Sequence, residues 1–296
     1  MDYTVDALIE KVKTYAAIPT GQPAFSNARL VEIMNDELLS CVFPWIIKLQ
    51  QEYFIDYKDY TIDASEPEYM VPTRAYGNVL RQVKYLVDDD ETFNERDLPQ
   101  FNPEMINNIL LPGFYMRGSN IHLVNFQNIA DRPIRLYYYR RPNELVLSVN
   151  CAEVTNVVAS GSPGYNTITV GAYPAAWAVE DVLVDFIKGN PHFDSLEDDH
   201  TVTNFGSSFD LPNTVAISIG DWVCAAGETP VPQIPAEAKM MLVQLTVARI
   251  MEALGDAEGM KAAIDKYTQL EQRMSEALSP RIVGSPIKIM NFESFA

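Results

Sequence analysis

The chain has 296 residues, 47% of them hydrophobic, and 40 acidic against 22 basic residues give it a formal net charge of −18. That length and apolar content support a large core and exclude a disordered chain, while the charge has the wrong sign for gripping a phosphate backbone. Three widely spaced cysteines, Cys41, Cys151 and Cys224, suggest neither a disulfide framework nor a thiolate metal site.

Further exclusions follow from the distribution of residues. No apolar run approaches the ~20 residues that span a bilayer, and the amino terminus begins Met1-Asp2-Tyr3 rather than with a basic segment. Neither membrane insertion nor export is expected, and reduced, cytosolic folding fits the cysteine usage. An acidic surface suits ordinary solubility, and it equally suits a passage through which nucleic acid slides without sticking.

In chain order, Asp2 to Ala17 predicts a first helix, with Val5, Leu8, Ile9, Val12 and Tyr15 on one broad face and a stop at Ile18-Pro19. Ser26 is a candidate cap for a long second helix whose stripe runs through Leu30, Met34, Leu38, Cys41, Trp45 and Leu49. Pro44 lies inside it and predicts a kink near Ser40 to Pro44.

From Tyr53 to Val149 the period shortens. Tyr60 to Ile62, Tyr69 to Val71, Val79 to Val87, Phe114 to Arg117, Ile121 to Val124 and Ile134 to Tyr139 read as short strands, with a hairpin around Gly118 to Asn120. Asp88 to Glu91 reads as a charged turn, and Arg140-Arg141 as a strand-end charge pair rather than a nucleic-acid contact.

Cys151 to Gly227 reads as a second β-rich unit, a small barrel, with runs at Val154 to Val157, Ile168 to Val170, Val182 to Ile187, Val215 to Ile219 and Trp222 to Cys224. Pro235 then opens a helix apolar almost all round, from Met240 to Leu254, which belongs in the centre of a bundle. After Gly255-Asp256 a last amphipathic helix carries Met260, Ile264, Tyr267, Leu270, Met274 and Leu278 and ends at Pro280. The first and last helices are expected to pack together.

Catalytic chemistry has no visible home. The chain contains no G-x-x-x-x-G-K-[ST], G-x-G-x-x-G, H-E-x-x-H or G-x-S-x-G pattern, so no enzyme and no cofactor is expected. His192 to His200, with Asp194, Glu197, Asp198 and Asp199, is the best metal candidate, but it lacks ligand spacing and reads as a solvated acidic loop.

Past the last helix, Ser279 to Ala296 passes through Pro280, Gly284 and Pro286 into Ile287, Ile289, Met290, Phe292 and Phe295. Two prolines and a glycine prevent helix extension, and five large apolar side chains need a cover. That cover is the body of the protein itself, a neighbouring subunit, or a partner that accepts an extended arm.

Four segments together resemble a known family: Ser26 to Phe54 with Asn35-Asp36-Glu37-Leu38; Leu136 to Leu145, reading L-Y-Y-Y-R-R-P-N-E-L; Asp185 to Phe193; and Gly220 to Pro235. They resemble head-to-tail adaptor, or connector, proteins from the neck of tailed double-stranded DNA bacteriophages. The resemblance implies a structural virion protein, assembled in the bacterial cytoplasm, that forms a closed ring, usually a dodecamer, beneath the portal protein. Such a ring extends the channel for DNA without binding it specifically and receives tail or nozzle proteins. It also implies that the carboxy-terminal segment docks on the portal.

The expected fold is α+β: a helical bundle from both chain ends, an antiparallel β-sheet and small β-barrel-like insertions, and an extended C-terminal arm. The corresponding parts are residues 1–57 and 235–278 for the bundle, 58–150 and 151–234 for the β units, and 279–296 for the arm. A tail-tube, collar or baseplate protein shares most of these features; a glycan-binding module or hydrolase on the β units is the remaining alternative.

Overall fold

A computed structural model describes residues 3–18, 23–87, 95–104, 110–178, 181–189, 195–203 and 205–278. The chain forms two compact units, Gln51–Arg141 and the combination of Met1–Gln50 with Pro142–Ala296.

The unit formed by the two chain ends contains the helices. In α1 (Val5–Tyr15), Thr4 caps the first turn by accepting from the Ala7 N–H, and Val5, Leu8, Ile9 and Val12 are buried. Helix α2 (Asn27–Glu37) is capped by Ser26, whose side chain accepts from the Arg29 N–H. It runs without a break through a π turn (Leu38–Val42) into α3 (Phe43–Leu49). Pro44 sits in the first turn of α3. Its missing N–H would leave a gap in the regular ladder, and the wide turn before it takes up the disruption, with the Phe43 N–H bonding back to Leu38.

Helix α4 (Lys239–Leu254) packs against α1, α2 and α5 (Ala257–Leu278). Gly255 ends α4 in the left-handed conformation at φ 73°, and Asp256 opens α5 by accepting from the Gly259 N–H. The main packing partner of α5 is α4, whereas α1 packs on α4 and α2; the expected pairing of first and last helices is replaced by a shared partner.

The Gln51–Arg141 unit holds β1 (Ile55–Thr61), β2 (Glu68–Met70), β3 (Ala75–Leu86), β4 (Glu95–Asp97), β5 (Gly113–Arg117), β6 (Asn120–Val124) and β7 (Pro133–Arg140). One antiparallel sheet has the order β1-β7-β3-β4 and another β2-β6-β5. The β5–β6 hairpin turns at Gly118-Ser119, where Arg117 faces Asn120. A core of its own, including Ile62, Val83, Phe114, Ile121, Ile134 and Leu136, lies between them. The Asp88 to Glu91 segment lies outside the described residues.

The remaining strands belong to the unit with the helices. They are β8 (Glu144–Leu145), β9 (Ala152–Ala159), β10 (Tyr165–Val170), β11 (Val182–Ile187), β12 (Ser195–Val202), β13 (Ser208–Pro212), β14 (Trp222–Ala225) and β15 (Glu228–Thr229). Six of them form an antiparallel sheet, β12-β11-β14-β9-β10-β13, curled into a half-barrel around Val154, Ile168, Trp177, Phe186, Leu211 and Val223. Its two outermost strands do not pair with each other, so the expected small barrel is open. Strands β8 and β15 make a short parallel pair.

This architecture corrects the expected fold class. The protein is mostly β-sheet rather than a helical bundle from both ends with β insertions, and the described residues hold only four helices when α2, the π turn and α3 count as one. The physical reason is that each β region encloses its own apolar core, so the sheets are bodies in their own right and not decorations on a helical frame. The expected arm at 279–296 lies outside the described residues.

Candidate interaction surfaces

The residues singled out for docking, Ile287, Ile289, Met290, Phe292 and Phe295, also lie outside the described residues. The helix that leads to them is described, and its coverage is uneven. Helix α4 buries Met241, Leu242, Val243, Val247, Ile250 and Met251 and half-buries Met240 and Leu245, and it exposes Leu254 at its last position. On α5 the apolar positions differ: Ala263 and Met274 are buried, Met260, Tyr267 and Leu270 are half-buried, and Ile264 is 42% exposed. Burial pushes the Tyr267 hydroxyl up to about 12, with Glu271, Cys41 and Glu37 adding to the shift.

Beside α4 lies an open groove of about 690 Å³. Arg29, Ile33, Asp36 and Leu39 line it from α2 and the π turn, and Arg249 and Ala253 line it from α4. Glu37, whose side chain is 5% exposed, accepts from Arg249 Nε at 2.6 Å, and Glu252 accepts from Nη1 at 2.8 Å. These two carboxylates strengthen the guanidinium's hold on its proton. The cation is thereby fixed in place by one carboxylate three residues along its own helix and by another 212 positions away, the second of which no local spacing reveals.

The outer face of the β1-β7-β3-β4 sheet carries a second polar constellation. Along β7 the buried Ile134, Leu136 and Tyr138 alternate with Arg135, Tyr137 and Tyr139, which project from the opposite face. Arg135 grips Asp59 through two 2.8 Å hydrogen bonds and reaches Glu95 at 3.0 Å; Lys84 and the Tyr137 hydroxyl also donate to Glu95, each at 2.8 Å. Burial alone would raise the Glu95 carboxyl, but the donors Lys84, Tyr137 and Arg135 together hold it below its ordinary range. Arg135 lies 4.1 Å over the Tyr57 ring, Lys84 5.3 Å over Tyr137 and Arg81 5.9 Å over Tyr139. Charges and rings thus satisfy one another across this face. Arg140, at the end of the strand, approaches Asp56 at 4.0 Å.

The acidic stretch that reads as a loop is ordered as strand β12 from Ser195 onward. His200 bonds Glu197 at 2.7 Å and packs edge-on against Phe186; Asp198 accepts from Ser195. Asp199 adopts a positive φ of 54° at a register shift, and its N–H donates to the buried Asp185 at 3.0 Å. These side chains are engaged in the sheet, and among the described residues no group of three or more His, Cys, Asp or Glu is placed to hold a metal ion. His192 and Asp194 lie outside the described residues.

Among the described residues no helix is long and apolar enough to cross a membrane. Compared with protein-family models the chain matches none, and compared with curated proteins it matches none either.

Proposed function

We propose that the protein is a structural component of a bacteriophage neck, a head-to-tail adaptor that assembles as a ring on the portal, extends the DNA channel and receives the tail. The observation that supports this reading is the apolar face of α5, which leaves Ile264 exposed and Met260, Tyr267 and Leu270 half-buried, available to another subunit. A net charge of −18 fits a channel that must not retain DNA, and the four segments quoted above resemble adaptor sequences. In this reading the apolar residues Ile287, Ile289, Met290, Phe292 and Phe295 insert into portal subunits. Many arms held on one ring engage together, so modest burial per arm yields a durable joint.

The test is a pull-down with purified portal rings from the same source, comparing the full chain with one ending at Leu278 and imaging the complexes by negative stain. Binding by the full chain alone supports both the adaptor reading and the role of the arm. Equal binding by both places the interface on the body, and binding by neither favours a distal tail or fibre component instead. A Phe292→Ala, Phe295→Ala pair is expected to weaken docking with an unchanged melting temperature; a large drop in melting temperature instead makes the tail part of the core.

A further inference from the structure

Cys151 and Cys224 are far apart in sequence and adjacent in the fold. Strand β14 pairs antiparallel with β9, with Trp222 opposite Glu153 and Val223 opposite Ala152. One step further along the same ladder brings Cys224 opposite Cys151. Val223 and Ala152 point into the half-barrel core, so the two cysteines share the other face. There Cys151, 2% exposed, and Cys224, 0% exposed, pack in one small cluster with Ile187 and Val231. Directly opposed cross-strand positions bring Cβ atoms to about 4.5–5.5 Å, within a small adjustment of disulfide geometry.

Their position along the chain gives the pair its meaning. Cys151 immediately precedes β9 and Cys224 lies within β14, so all the other strands of the half-barrel fall between them. A bond here closes the entire half-barrel into one covalent loop at the point where the chain enters and leaves it.

We propose that Cys151 and Cys224 are a latent redox clasp, two thiols in the folded protein that a small disulfide oxidant converts into a cross-strand disulfide. In the first step one thiolate attacks a sulfur of the oxidant R–S–S–R, forming a mixed disulfide and releasing R–S⁻. The second thiolate then attacks the protein sulfur of that mixed disulfide and releases the other R–S⁻. Two protein thiols are oxidised, one oxidant disulfide is reduced to two thiols, and the two protons leave with the released sulfurs. Burial raises the Cys224 thiol well above its ordinary range, with Cys151 the next contributor, so closure is slow at neutral pH and faster in mild alkali. Cys41, only partly buried, stands apart from the pair.

The test uses the full chain carrying Cys41→Ser, incubated with glutathione disulfide at mildly alkaline pH, then acid-quenched and alkylated in denaturant. The expected result is loss of two thiols with no retained glutathione, and a linked peptide containing Cys151 and Cys224. The melting temperature should rise by several degrees and fall back on addition of dithiothreitol, a comparison that needs no substitution at the pair itself. Protease cuts within 152–223 should leave the fragments joined on a non-reducing gel. A stable glutathione adduct on either cysteine, or a crosslink that lowers the melting temperature, overturns the proposal. So does survival of both thiols in the folded chain when the same reagent oxidises the urea-unfolded chain.

Discussion

Asn35 holds Leu145 by both of that residue's backbone groups: its Nδ2 donates to the Leu145 carbonyl oxygen at 3.0 Å, and the Leu145 N–H donates to its Oδ1 at 2.8 Å. A helix side chain thus takes the place that a third strand would have beside the short β8–β15 pair. Replacing Asn35 by Asp retains the acceptor and removes the donor. The expected result is a loss of about 2 kcal/mol in urea denaturation, with Asn35→Leu at least as damaging because both Leu145 groups lose their partner.

Asp185 is fully buried, and its carboxylate gathers donors from three segments. Asp199 N–H donates at 3.0 Å, Gly227 N–H at 2.9 Å and Asn143 Nδ2 at 2.7 Å. Asp185→Ala removes the shared acceptor of all three, so a loss of about 3 kcal/mol is expected, measured as a lowered urea midpoint. Because Asp199 reaches Asp185 through the bulge in β12, amide hydrogen exchange in Ser195–Val202 should rise along with it.

Glu228 lies opposite Glu144 in the parallel pair, and burial followed by this like charge raises its carboxyl above the ordinary range. A folded-state value above the unfolded one means that stability is fully present below the unfolded value and is lost as pH rises through the folded one. Glu228→Gln should therefore raise the melting temperature at neutral pH by the equivalent of less than about 1 kcal/mol, given its partial exposure, and have no such effect below about pH 4.

Gly189 passes so close to the neighbouring backbone that an added Cβ would sit 1.9 Å from the Gly220 carbonyl oxygen. Neither side of that contact can rotate away. Gly189→Ala is expected to destabilise by more than about 2 kcal/mol, whereas Gly220→Ala, at φ 88° with open space around it, carries only backbone strain of about 1–2 kcal/mol. Parallel thermal melts of the two variants give the comparison.

Local signals located the features with local causes. Ser26 caps a helix, Gly118-Ser119 turns a hairpin, and the all-round apolar pattern from Met240 to Leu254 marks the helix with the most neighbours. Strand β12 was illegible because Glu197, Asp198 and Asp199 look like a solvated loop; it is held as a sheet edge by Asp185, a residue whose role is visible only in three dimensions. Conversely, Val215 to Ile219 has strand-like composition but no strand partner among the described residues, and Ile217 and Val215 turn into the half-barrel core. The independence of the sheets escaped for a related reason: helical periodicity is conspicuous over many residues, while each strand is short and gains its weight from distant partners. Of the candidate surfaces, neither the Glu37–Arg249 clasp, across 212 positions, nor the tie between Arg135 and Asp59 leaves a trace in local spacing.

The π turn at Leu38–Val42 makes the second helix two helices of different phase. Each residue of an α-helix advances the direction of its side chains by about 100°, so a single extra residue rotates everything beyond it by that angle. Leu30, Met34 and Leu38 point inward before the turn, and Val42, Phe43 and Ile46 point inward after it. The segment therefore acts as a phase shifter, and the chain's residue count there is a structural quantity in itself. Wound as a regular α-helix with the same residues, the segment would instead swing Phe43 and Ile46 out of the interior.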